Sequence, residues 1–147
     1  MILAIASDHA GFELKEAIKA AFPRHEFLDF GAPSTASVDY PDTGSAAAKA
    51  VASGKAELGI LVCGSGIGMS IVANKIPGIR AALCCNTDVA RLSRLHNDAN
   101  VLCLGARVIG AGLAVEILRA WMAEDFEGGH YAERLQMMKG GYEGVCR

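Results

Sequence analysis

The chain of 147 residues has no excess of charge of one sign, no long apolar run and no CxxC pair. Each absence closes off a class of function. With 14 Lys and Arg against 16 Asp and Glu the formal charge is -2, so the overall field offers nothing to nucleic acid or to an anionic membrane surface. A small, locally steered ligand is the expected partner. No apolar stretch approaches the roughly 20 residues that span a bilayer, and the opening segment lacks a basic leader and soon meets Asp8 and His9. A cytoplasmic protein is expected. The five cysteines, Cys63, Cys84, Cys85, Cys103 and Cys146, are odd in number and scattered, which argues against a disulfide framework and against a zinc site. Cys84, Cys85 and Cys103 read as buried, reduced thiols inside apolar runs. No linker, repeat or low-complexity tract interrupts the chain, and its length suits a single domain over 1–147.

Ala, Val, Ile and Leu are abundant: hydrophobic residues reach 52% although aromatics supply only 6%, ample for a core and too apolar for disorder. Short apolar runs alternate with longer helical stretches, and Gly, Pro, Asp or Asn mark the junctions. Strands are expected near 2–6, 26–30, 58–63, 79–84 and 101–104, and helices near 11–22, 43–53, 66–75, 87–97, 111–124 and 130–139. Runs such as Ile60-Leu61-Val62 are apolar on both faces, as in a parallel strand covered by helices on both sides. The pattern predicts an α/β fold, three layers, doubly wound, with a five-stranded parallel sheet and a C-terminal helix. Right-handed crossovers then put strand 1 beside strand 3, and ligands bind outside the carboxyl ends of strands at such a reversal.

The loops at that point read Ser7-Asp8-His9-Ala10-Gly11 and Cys63-Gly64-Ser65-Gly66-Ile67-Gly68. Gly64, Gly66 and Gly68 lead from a buried strand into a helix, so their backbone N–H groups can converge on an anion at the positive end of the helix dipole. The spacing matches neither the dinucleotide fingerprint nor a nucleotide phosphate loop. Cys63 stands where the dipole favours a thiolate over a thiol of ordinary pKa, about 8.5. Packing alone would also account for a cysteine at a strand end. Asp8 and His9 add a carboxylate and an imidazole to the same crevice, or cap a helix. His96 and Asn97 end the fourth helix, which runs back across the sheet for roughly 15 Å. If His96 is catalytic, it serves the crevice of another subunit. Arg107 and Arg134 read as solvated arginines or as phosphate ligands.

Taken in order, Ser7 to Lys15, Val38-Asp39-Tyr40-Pro41, Cys63 to Gly68 with Ala73-Asn74-Lys75, and His96 to Val101 with Gly105-Ala106-Arg107 resemble ribose-5-phosphate isomerase type B. That family also contains the galactose-6-phosphate isomerase subunits, and the resemblance covers nearly the whole chain. It implies a Rossmann-like homodimer with shared active sites, sometimes a tetramer, interconverting an aldose phosphate and its ketose phosphate without metal or organic cofactor. Cys63 corresponds to the base of the cysteine branch. Another branch uses a glutamate where this chain has Met69. By the same resemblance the backbone of Gly66, Ile67, Gly68, Met69 and Ser70 supplies donors to the enediolate oxygen, Gly64 contacts the substrate, and Ser65 adds a hydroxyl. His96 opens the sugar ring with Asp8, Asn97 and Tyr40 orient the sugar, and His9, Arg107 and Arg134 hold phosphate. The family commonly has Arg where this chain has His130, and an imidazole of ordinary pKa near 6.5 is mostly neutral at pH 7. Weaker, more pH-dependent phosphate binding is therefore expected. A tetrose or hexose phosphate as substrate, or a non-catalytic phosphosugar-binding subunit, are the competing expectations.

Overall fold

The computed structural model describes residues 1–139, in which five strands and five helices alternate before a final helix; Cys146 lies outside the described residues. The elements are β1 (Ile2–Ser7), α1 (Phe12–Ala21), β2 (Glu26–Asp29), α2 (Tyr40–Ala52), β3 (Leu58–Cys63), α3 (Ile67–Asn74), β4 (Ala81–Leu83), α4 (Thr87–Asn97), β5 (Val101–Gly105), α5 (Ala111–Met122) and α6 (His130–Met137). The strands form one parallel sheet in the order β2-β1-β3-β5-β4, with β1 beside β3 as the sequence requires.

Strand order decides which face each helix covers. A right-handed crossover switches faces whenever the direction of travel along the sheet reverses. The step from β1 to β2 goes one way, the steps to β3 and β4 go the other, and the return to β5 reverses again. Accordingly Leu14 and Ile18 of α1, Ala90 of α4 and Ile117, Leu118 and Trp121 of α5 share a core with Leu3, Ile5, Ile60 and Leu102. On the other face Ala47, Ala48 and Val51 of α2 and Met69 and Ala73 of α3 pack on Ala4, Ala6, Leu61 and Cys103. Small side chains dominate that second layer and bring α2 and α3 close to the sheet.

Three expectations need correction. β4 spans Ala81–Leu83 instead of 79–84, because the Arg80 N–H donates to Asn100 Oδ1 at 2.8 Å before strand pairing begins. α2 starts at Tyr40 instead of 43, since Pro41 in the first turn needs no N–H partner. Cys85 is exposed, not buried: it follows β4 at the turn where Asn86 caps α4 by accepting the Val89 N–H at 2.8 Å. Cys84 and Cys103 are buried as expected. Burial pushes the Cys84 thiol up to about 11, against the pull of a Ser93 hydrogen bond. Burial, with the neighbouring Cys63 and Cys84 sulfurs, pushes Cys103 higher still. Both stay protonated at neutral pH.

Candidate active site

The carboxyl ends of β1, β3 and β5 lie side by side, and the loops that leave them bring together residues far apart in sequence. Ser7 pairs with Val62, and Cys63 with Gly105. Gly11 makes this proximity possible, because a Cβ there would lie 2.6 Å from the Val62 carbonyl oxygen. Gly66 has a φ of 79° and presses on the backbone of Leu104, where a Cβ would lie 2.9 Å from the carbonyl carbon. Only glycine satisfies both demands.

At the centre is Cys63, 5% exposed, whose Sγ accepts the Gly66 N–H at 3.1 Å. A donor aimed at sulfur stabilises negative charge there. Ser65 Oγ accepts the Ile67 N–H at 3.2 Å, and the Ser70 N–H donates to Gly66 O at 3.1 Å. These bonds narrow the expected set of donors. The N–H groups of Gly66, Ile67 and Ser70 are engaged, so Gly68 and Met69 retain donors with no acceptor among the described residues. The Met69 side chain is fully buried, its sulfur against Gly44, so only its backbone faces the crevice.

Around this loop stand the other residues expected at this end. Asp8 is 8% exposed and Oδ1 accepts the Gly11 N–H at 3.0 Å; Oδ2 has no hydrogen bond among the described residues. His9 Nδ1 accepts the Val38 N–H at 3.4 Å, which leaves the proton of a neutral imidazole on Nε2 as a donor. Tyr40 lays its ring over Gly68, 2.7 Å from where a Cβ would stand. The Arg107 N–H donates to Gly64 O at 2.9 Å, and its exposed guanidinium lies along Gly64 with no carboxylate partner among the described residues. The crevice thus combines a sulfur, a carboxylate, an imidazole donor, a guanidinium and unpaired amide N–H groups, those of Gly68 and Met69 among them. Among the described residues no cluster of three or more His, Cys, Asp or Glu is arranged to hold a metal ion.

The remaining expected residues stand at the other end of the sheet. His96 and Asn97 close α4 just before the amino end of β5, where Arg80 donates to Asn97 O at 3.1 Å. His130 and Arg134 are exposed on α6, which packs beside α4. β3 separates these two groups by its six residues, roughly 15–20 Å of strand. One chain therefore does not bring Cys63 and His96 together, as the helix arithmetic required.

Residues 3–138 match the Ribose/Galactose Isomerase family. The chain belongs to that family. It is 46% identical over 136 residues to ribose-5-phosphate isomerase B of Escherichia coli (strain K12), covering 91% of each chain. It is 44% identical over 144 residues to D-erythrulose-4-phosphate isomerase of Pectobacterium atrosepticum, covering 96% of this chain and 94% of that one. The solved structure of Clostridium thermocellum ribose-5-phosphate isomerase B superposes with a TM-score of 0.92 at 48% identity, covering 94% of this chain and 95% of that chain. As a member of this isomerase family the chain is a sugar-phosphate isomerase.

Sequence reading missed two contacts. Lys15, 1% exposed, donates to Asp29 Oδ1 at 2.7 Å and to Ala32 O at 2.7 Å, anchoring the segment that leads to α2. Its signal was a lysine between the core positions Leu14 and Ile18. Tyr131 stacks on His96 with ring centroids 4.1 Å apart and planes 12° apart. No local pattern links residues on separate helices.

Proposed function

We propose that the protein interconverts ribose 5-phosphate and ribulose 5-phosphate through an enediolate, as a homodimer whose active sites each draw on both subunits. The observation that carries this reading is Cys63 Sγ under the Gly66 N–H, beside the unpaired N–H groups of Gly68 and Met69. Isomerisation needs a base to take the proton from carbon 2 and return it to carbon 1, and donors for the oxygen that becomes negative between the two transfers. Cys63 is the base. Gly68 and Met69 face the enediolate oxygen, and Ser65 assists.

Sugar phosphates exist mainly as rings, so ring opening comes first. His96 of the partner subunit and Asp8 form the acid/base pair for that step, while Asn97 and Tyr40 orient the sugar. Arg107 and His9 hold the phosphate from one subunit, and Arg134 and His130 from the other. Apolar surface beside the Cys63 loop supports the dimer: Ile67 and Ile71 on α3 and Leu83 at the end of β4 are 53%, 55% and 40% exposed.

The similarity to a D-erythrulose-4-phosphate isomerase, together with His130, favours a tetrose phosphate as the second reading. The purified, chelator-treated protein decides between them by its specificity constants on ribose, erythrose, allose and galactose phosphates. Metal-independent turnover led by the pentose is expected. A tetrose or hexose phosphate leading would make the site a respecialised one. Binding of ribose 5-phosphate without exchange of its carbon 2 hydrogen would make the protein a non-catalytic subunit.

A further inference from the structure

α6 buries no side chain, yet it is attached to the molecule next to His96. Two contacts stand out in that attachment. The Glu127 N–H donates to Leu95 O at 3.0 Å, which fixes the incoming segment along the last turn of α4. Tyr131 then stacks on the His96 ring at 4.1 Å and 12°, and His130 leans on the same tyrosine at 4.0 Å and 37°. Asp98 accepts from Arg80 at 2.8 Å and from Arg94 at 3.3 Å, and the Asn97 carbonyl accepts from Arg80. Among the described residues no hydrogen bond reaches the His96 ring, so the tyrosine face is what defines its plane.

A half-buried imidazole on a helix end would otherwise sample several χ1 and χ2 wells. Stacking against a flat partner removes that freedom while leaving both ring nitrogens at the edge, open to a ligand. The geometry points to Tyr131 as a positioning residue that holds the His96 imidazole in the plane required for opening the furanose ring. This rests on the role given to His96 above. In that step the C1 hydroxyl loses its proton, the C1–O4 bond breaks, the C1 carbonyl forms and O4 takes up a proton. No other redox partner or co-reactant enters. The tyrosine hydroxyl has no part in it, so Phe should replace Tyr without loss.

Ribulose 5-phosphate provides a substrate that skips the step, because the hydroxyl that would close its five-membered ring carries the phosphate. Its C1 hydrogen can exchange with solvent deuterium through the enediolate alone. Tyr131→Ala is expected to lower kcat on ribose 5-phosphate about 10- to 100-fold, with little change in KM, while deuterium exchange into ribulose 5-phosphate stays near the wild-type rate. Tyr131→Phe should restore ribose turnover. Full ribose turnover by Tyr131→Ala, alongside a crippled His96→Ala, would overturn the positioning role and leave the ring-opening role of His96 standing. Equal loss of turnover and exchange in Tyr131→Ala, unrescued by Phe, would also overturn it by revealing general damage. Wild-type ribose turnover by His96→Ala would remove the reading of His96 itself, and the role of Tyr131 with it.

Discussion

Replacing Cys63 with Ala removes the sulfur that accepts the Gly66 N–H but leaves β3 in its apolar cluster with Leu61, Met69 and Ala73. Isomerisation should fall by at least about 10²-fold, the low end for loss of a positioned base, while folding and phosphosugar binding persist. Substantial turnover in steady-state assays would mean that another group moves the proton. His130→Arg should lower the Michaelis constant for a pentose phosphate, since a guanidinium carries a fixed charge and grips phosphate through two donors. An unchanged constant would contradict a phosphate role for His130. The Cys63 loop was legible because sulfur, glycines and serine are contiguous, and a strand-to-helix turn dictates where they go. Lys15 was not legible. A lysine on a helix reads as surface, and only the fold puts Asp29 and Ala32 O beneath it. Cys85 failed in the opposite direction, as a turn placed its side chain outside.

Between α1 and β2 the Lys15–Asp29 contact acts as a clamp, reinforced by Lys19 at 2.7 Å and by the Gly31 N–H at 3.0 Å. Burial acts to raise the Asp29 carboxyl, but the two ammonium groups and that N–H outweigh it and hold Asp29 below its ordinary 3.8. A carboxyl lowered in the folded state contributes stability that is present above 3.8 and lost as the pH falls through its lower folded value. Acid titration of wild type should therefore show stability falling below that point, and Asp29→Asn should weaken this dependence. At neutral pH the variant should lose about 3 kcal/mol in urea unfolding, because the buried Lys15 ammonium keeps only the more distant and more exposed Glu16 carboxylate, at 3.5 Å. A loss under about 0.5 kcal/mol would mean that Glu16 and the Ala32 carbonyl suffice to hold the Lys15 ammonium. Hydrophobic period revealed each strand and helix, whereas their ends depended on particular hydrogen bonds. Asn100 shortened β4 in this way, and Pro41 set the start of α2.

On the scale of the whole molecule, the two proposed half-sites stand at opposite ends of one sheet. The first holds Cys63, Asp8, His9, Tyr40 and Arg107; the second holds His96, Asn97, His130 and Arg134. Their separation was legible in the sequence because helix rise and strand direction are fixed numbers. How two copies would meet in the proposed dimer was not, since that would depend on exposed apolar side chains such as Ile67, Ile71 and Leu83, which a period cannot assign to a partner. A twofold dimer that pairs unlike half-sites places two composite sites on one molecule. Mixing inactive Cys63→Ala with inactive His96→Ala under conditions of subunit exchange measures this directly. Heterodimers would then contain one site with both residues, so ribose 5-phosphate turnover should recover to about a quarter of wild type at equal mixing. A mixture that exchanges subunits yet stays as inactive as its components would contradict the shared site.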